Sequence, residues 1–289
     1  MVPVLYPASV QEYLDFGLHG WAMSRFSGLW VALKCVNETV ECAASVTLDP
    51  DRVQPKLPLD YTAPPTGVHI RWPDSPLEQE ARLVNHKLPA ALAYARANGL
   101  DRVVMDSPTA KLGIAAAGKA YLDVRQALDS LGIDEQAAQV LGIRLYKIGM
   151  VWPLEPQGAR AFAQGLDEVL VVEEKRSLIE AQLKDILYAA PEGGRPRIVG
   201  KFADVEPVSP DGKWLLQAQG EITPTMVVGA LFARLRGLLP AETLAPYLAR
   251  APQPPRAALP RVAADRIPYF CSGCPHNIST NVPEGSRAL

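Results

Sequence analysis

Two thiols two residues apart, in Cys271-Ser-Gly-Cys274-Pro-His276, are the side chains whose types and spacing could most directly do chemistry. A Cys-x-x-Cys pair can grip one metal atom from a single turn, Gly273 permits the tight backbone, and His276 adds an imidazole donor. The pair is half of a tetrahedral set. The remaining ligands would have to come from Cys35, Cys42, His276 or another stretch of polypeptide. Thiol redox chemistry and inert thiols are the competing readings, and the redox reading lacks the strand and helix that flank a thioredoxin-like motif.

Other chemistry-bearing patterns are weaker. Gly113-Ile-Ala-Ala-Ala-Gly118-Lys119 has phosphate-loop spacing, but the expected strand runs through its variable positions and Ala120 stands where a magnesium-binding hydroxyl is needed. A tight turn with small residues explains it better. Glu173 and Glu174 end an expected parallel strand, where α/β sheets place ligand contacts, yet adjacent strand residues face opposite sides and make no acid/base pair. At least one is expected at a surface or interface. His19 lies in the first expected helix, His69 and His86 lack a neighbouring Cys or paired carboxylate at ligand spacing, and all three read as structural. There is no Gly-x-Ser-x-Gly elbow.

The elements that must position these residues follow from periodicity and caps. Ser9-Val-Gln-Glu12 has capping-box spacing, and Val10, Leu14, Leu18, Trp21 and Ala22 then recur as a helical stripe up to about Phe26. Leu29 to Leu33 reads as a buried strand. One helix and one strand cannot make a sheet, so a partner sheet is expected elsewhere, before Met1. Ser75-Pro76-Leu-Glu78 opens a helix that Pro89 should kink and Gly99 should stop. An alternation follows: strand Lys111 to Ala116, helix Ala120 to Leu131, strand Ile143 to Ile148, helix Gln157 to Gln164, strand Val169 to Glu173, a helix capped by Ser177 and Glu180 and ending near Tyr188, and strand Arg197 to Phe202. Three strand-helix-strand units predict an α/β fold with a parallel sheet between helix layers. Thr223-Pro224 starts a helix to about Arg236 with Met226, Val227, Ala230, Leu231 and Leu235 inward, and Ala241 to Ala249 forms another.

Proline punctuates this order. Twelve of the 27 prolines lie in residues 50–76 and 250–268, which read as extended connectors between compact pieces. The chain has 289 residues, 29 Lys plus Arg, 31 Asp plus Glu and a formal net charge of -2, so no global field favours nucleic acid or an anionic membrane. Apolar runs stop well short of the ~20 residues a membrane span needs, and the start lacks a signal peptide's basic and apolar regions. A cytoplasmic location is expected, with no nucleic-acid or membrane partner.

Several segments together resemble one family. Tyr6 through Gly28, Leu33 through Glu41, Val169-Leu-Val-Val-Glu-Glu174, Tyr269 through Thr280 and Pro283-Glu-Gly-Ser-Arg287 are similar, in order and spacing, to the indolepyruvate ferredoxin oxidoreductases. The likeness spans the whole chain and is closest to the long fused bacterial form. It implies a thiamine diphosphate and magnesium enzyme that oxidatively decarboxylates an aryl or branched 2-oxoacid to its acyl-CoA. Coenzyme A is the co-substrate, and electrons pass through iron-sulfur centres to ferredoxin.

By the same resemblance, residues 1–49 look like the end of the pyrimidine-binding domain, 50–105 a Pro-rich linker and helix, and 106–202 a transketolase C-terminal-like α/β domain. Residues 203–266 look like a helical extension and linker, and 267–289 the start of the diphosphate-binding domain. Cys271 and Cys274 match the Cys-x-Gly-Cys by which related 2-oxoacid oxidoreductases ligate an iron-sulfur cluster near thiamine, and the resemblance places His276 near the cofactor. The resemblance assigns no catalytic residue, because the activating Glu and the Gly-Asp-Gly magnesium motif do not occur here. The chain is therefore expected to be an internal fragment, inactive alone, with ferredoxin, the 2-oxoacid, the enzyme's other domains and further copies of itself as partners. The alternatives are a non-catalytic oligomerisation or docking module and a zinc or thiol-redox protein.

Overall fold

A computed structural model describes residues 1–72, 74–188, 194–203, 214–251 and 269–286, in a first unit, Met1–Pro252, and a second, Gln253–Leu289. The first unit opens with β1 (Val4–Leu5) and α1 (Val10–Ser27), where Ser9 Oγ accepts the Glu12 N–H and Gly28, at φ +70°, ends the helix. Of the expected stripe, Ala22 packs against a core cluster, but three other members lie on the opposite face. Leu14, Leu18 and Trp21 are exposed, whereas Glu12, Phe16 and Met23 are buried. An ion pair is the reason: the Glu12 carboxylate accepts the Ala8 N–H at 2.8 Å and pairs with buried Lys147 of the sheet, so a residue counted as polar faces inward. The next strand, β2, is only Ala32–Leu33, and Trp30 is 86% exposed, so Leu29 to Leu33 is not one buried strand.

After the short α2 (Asn37–Val40), the described residues up to Ser75 hold no helix or strand, as the first proline window requires. Then α3 (Pro76–Arg82) begins with a complete capping box: Ser75 Oγ accepts the Glu78 N–H at 3.3 Å, and Glu78 Oε2 accepts the Ser75 N–H at 2.7 Å. The effect of Pro89 is a widened π-type turn at Leu83–Lys87, through which the chain enters α4 (Leu88–Ala97). Ala91, Tyr94 and Ala95 of α4 join Phe16 and Met23 in a core cluster.

The main sheet contains β3 (Arg102–Met105), β4 (Leu112–Ala117), β5 (Ile143–Ile148), β7 (Glu168–Val172) and β8 (Arg197–Val199), in the order β3-β5-β4-β7-β8. Four strands run parallel, as expected, and β3 adds an antiparallel edge that the sequence reading passes over. Alternate residues serve opposite faces. Ile114, Ala116, Leu145 and Leu170 join one core with α5 (Gly118–Leu131), α6 (Glu135–Leu141), α9 (Pro224–Leu238) and α10 (Ala241–Leu248). Ala115, Ala117, Tyr146 and Val171 join the other with α7 (Pro156–Ala163) and α8 (Ile179–Tyr188). The result is a three-layer α/β domain. Strand β8 stops three residues before Phe202.

Past β5 the chain continues through Gly149 into β6 (Met150–Trp152), which pairs antiparallel with β1, itself parallel to β2. This three-stranded sheet supplies from within the chain the partner strands expected to lie before Met1. In the second unit, the described residues hold a turn and α11 (His276–Ser279) and no strand. Of the second proline window, residues 250–268, everything from residue 252 onward lies outside the described residues.

Two positions at the join between the sheets can be tested. Gly118 has φ +52°, and a Cβ there would lie 2.2 Å from the Tyr6 ring. Gly118→Ala is therefore expected to destabilise the fold by about 1–3 kcal/mol in urea unfolding. Burial pushes the Asp101 carboxyl up from 3.8 to about 6, although the Met150 and Gly149 N–H groups pull it down. The folded state then keeps a proton that the unfolded chain releases, so this contribution is full below about pH 4 and fades as pH rises to about 6. Asp101→Asn should flatten that slope in urea midpoints measured across this range.

Candidate functional site

Gly273, at φ +80°, folds Cys271–Cys274 back on itself: the Cys274 N–H donates to the Cys271 carbonyl at 3.0 Å. The Asn277 N–H donates to the Cys274 carbonyl at 3.0 Å, and Asn277 Nδ2 donates to the Cys271 carbonyl at 2.9 Å. The turn thus rests on the start of α11. His276 Nδ1 lies 3.2 Å from Cys274 Sγ, and the imidazole stacks on Phe270 with ring centroids 5.2 Å apart. Cys271 is exposed and Cys274 half-buried. The structure therefore pairs Cys274 with His276 and puts Cys271 on the same turn.

No group of three His, Cys, Asp or Glu able to hold a metal occurs among the described residues. Cys35 and Cys42, in the first unit, donate to the nearby carbonyls of Leu33 and Glu38. Two thiols on a glycine turn with an adjoining imidazole suit soft-metal ligation, with part of the coordination supplied from elsewhere.

At the carboxyl edge of the main sheet, both glutamates are occupied by structure. Of the two, at least one of them expected at a surface or interface, Glu173 is buried, and its carboxylate accepts the N–H groups of Leu178, Ile179 and Glu180 at 3.0, 2.8 and 3.0 Å. It caps α8, the role expected of Ser177 and Glu180; Ser177 Oγ instead donates to the Glu180 carboxylate at 2.9 Å. Burial raises the Glu173 pKa, and the three N–H bonds and Lys201 oppose the shift. A residue just past a strand's end and aimed at the next helix can cap it from five residues away, a signal local capping patterns do not carry.

Glu174 faces the other way, 3.6 Å from Lys119 Nζ. Lys119 also meets Glu221 at 2.7 Å and Asp123 at 3.1 Å, and donates to the Ile222 carbonyl at 2.6 Å. Burial works against its charge, but these carboxylates outweigh it and raise the pKa. Gly113–Ala117 is strand, so the phosphate-loop spacing is coincidental and Lys119 ties α5 to the entry of α9.

The fold and the thiol turn define an α/β domain followed by a candidate soft-metal ligand motif. The sequence profile of the indolepyruvate ferredoxin oxidoreductase middle domain matches residues 101–250, just over half of the chain. The chain belongs to the indolepyruvate ferredoxin oxidoreductase family. The indolepyruvate oxidoreductase subunit IorA of Methanothermobacter marburgensis is 26% identical over 281 residues, covering 95% of this chain and 38% of that subunit. IorA of Pyrococcus abyssi is 27% identical over 283 residues, with the same shares. This chain therefore spans well under half the length of these relatives. Among solved structures, a 2-oxoglutarate:ferredoxin oxidoreductase from Magnetococcus marinus is similar at a TM-score of 0.44 and 15% identity, covering 81% of this chain and 42% of that one. A split-gene transketolase in an inactive β4 tetramer gives 0.45 and 12%, covering 81% and 57%. No helix among the described residues is long and apolar enough to cross a membrane.

Glu173→Ala removes three hydrogen bonds from the start of α8. It should cost about 1–2 kcal/mol in urea unfolding and speed amide exchange at Leu178–Glu180 selectively.

Proposed function

We propose that this chain is the middle portion of an indolepyruvate-type 2-oxoacid:ferredoxin oxidoreductase, in which the three-layer domain is a rigid scaffold and the Cys271–Cys274 turn provides two ligands to an iron-sulfur cluster. The observation that carries the reading is the family match over residues 101–250, joined to IorA relatives that align along 95% of the chain. In the whole enzyme, the overall reaction would be oxidative decarboxylation of an aryl or branched 2-oxoacid to its acyl-CoA, with ferredoxin as acceptor. Other domains and other copies of the chain would complete the assembly.

The donor chemistry fits a cluster in part. Cys271 and Cys274 would hold one edge of it, and His276, hydrogen-bonded to Cys274 Sγ, would orient that sulfur and tune its basicity. When bound, such a cluster supplies one-electron transfer. The fit to thiamine diphosphate is different. His276 is committed to Cys274 and Phe270, and no group of three His, Cys, Asp or Glu side chains able to hold a metal occurs among the described residues. No step through thiamine is assigned to these residues, and the chain alone is proposed to be inactive.

Anaerobic titration with cobalt(II) tests the ligand assignment. The full chain should develop thiolate-to-cobalt charge-transfer absorption that Cys271→Ser and Cys274→Ser each abolish and His276→Ala weakens. Unchanged absorption in either serine variant removes the assignment. A 2-oxoacid-dependent reduction of viologen dye by the chain alone, with thiamine diphosphate, magnesium and coenzyme A supplied, would overturn the proposed inactivity.

A further inference from the structure

Where the two sheets of the first unit meet, a cleft of about 210 Å³ opens at the carboxyl ends of β4 and β7. Its walls include Tyr6, Ala117, Ala120, Val151 and Ile179, all of them buried residues. This is the edge of a parallel sheet where α/β proteins commonly bind ligands, because loops and helix starts converge there. The volume is below the ~300–1,000 Å³ of pockets for drug-sized molecules, so it suits a body about the size of one aromatic ring.

The rim is cationic. Lys34 extends from the end of β2 and places Nζ 4.3 Å from the Tyr6 ring centroid, and Lys175 and Arg176 follow β7. Lys175 holds a left-handed backbone at φ +58°, unusual for a residue with a side chain, and its Nζ donates to the Gly220 carbonyl at 2.8 Å. Lys34 and Arg176 have no ion pair among the described residues, and both are exposed.

Two acids also line the cleft, but their charge is spent elsewhere. Glu173 accepts three N–H groups of α8, and Glu174 accepts the Ile222 N–H at 3.3 Å and faces Lys119. The α8 amides are therefore closed to a ligand. The Tyr6 phenol is pushed up to about 12, mainly by burial, so it stays neutral at the inner wall. An apolar cavity with two exposed cations at its mouth that have no ion pair among the described residues, and two lining acids each held by other groups of the protein, selects one chemistry.

We propose that this cleft binds a small organic carboxylate with a flat apolar body, the ring resting among Ala120, Val151 and Ile179 and the carboxylate between Lys34 and Arg176. The site lies in the first unit and is independent of the proposed role for the thiol turn. It involves binding and no covalent step.

The test is a methyl-labelled NMR titration of the full chain with phenylacetate, using benzamide and inorganic phosphate as comparison probes. Phenylacetate should shift the Val151 and Ile179 methyl signals saturably, benzamide should bind about tenfold more weakly, and phosphate should leave those methyls unmoved. Lys34→Gln and Arg176→Gln should each weaken phenylacetate by about fivefold, the scale of an exposed ion pair. Ala120→Leu should fill the cavity and abolish the shifts. Lys111→Gln, at an exposed ion pair with Asp167, should change nothing. Because both glutamine variants alter exposed side chains, they keep the test decisive if Ala120→Leu fails to fold. Equal binding of benzamide, shifts confined to other methyls, equal perturbation by phosphate, or undiminished binding in the Lys34→Gln/Arg176→Gln double variant would each overturn the proposal.

Discussion

The strand that passes from one sheet to the other at Gly149 is the constraint on which the first unit depends. Asp101 Oδ1 accepts the Gly149 and Met150 N–H groups at 2.8 and 2.9 Å, and the Tyr6 N–H donates to the Gly149 carbonyl at 2.8 Å. A side chain at this turn would meet the Leu100 carbonyl at 2.5 Å and the Phe16 ring at 2.9 Å, so the close approach of three segments requires glycine. With that crossing fixed, β6 can bring β1 and β2 onto the α/β domain. Without it, the first 40 residues would have no sheet partner among the described residues.

The Glu12–Lys147 pair reinforces the same join from the helix side. Burying two charges gains little net stability once desolvation is counted, but an unpaired member would be strongly destabilising. The pair therefore acts mainly through specificity. The rotation of α1 that makes the pair leaves Leu14, Leu18 and Trp21 facing outward.

At the carboxyl edge of the main sheet, charged residues serve mainly as internal fastenings. Glu173 fixes α8, and Lys119, with Asp123, Glu174 and Glu221, fixes α5 to the approach to α9. These groups stabilise the scaffold and leave little free acid or base for chemistry. The soft donors sit in the second unit on a short turn whose geometry rests on Gly273 and Asn277.

The sequence by itself determined the elements whose signals are local. Ser75 and Glu78 define a helix start through hydrogen bonds three residues apart, Gly132 allows the left-handed backbone that ends α5, and the apolar runs at β4 and β7 mark strands buried on both faces. It also made the thiol pair at Cys271 and Cys274 legible, because a turn of four residues fixes their proximity, and the family resemblance was readable in ordered segments. Tertiary structure alone decided the face of α1, the pairing of β6 with β1 and the cap from Glu173. Each of these depends on partners distant in sequence: Lys147 lies 135 residues from Glu12. Hydrophobic periodicity treats a carboxylate as a solvent-facing residue, and it has no term for a distant ammonium that makes burial of that carboxylate possible.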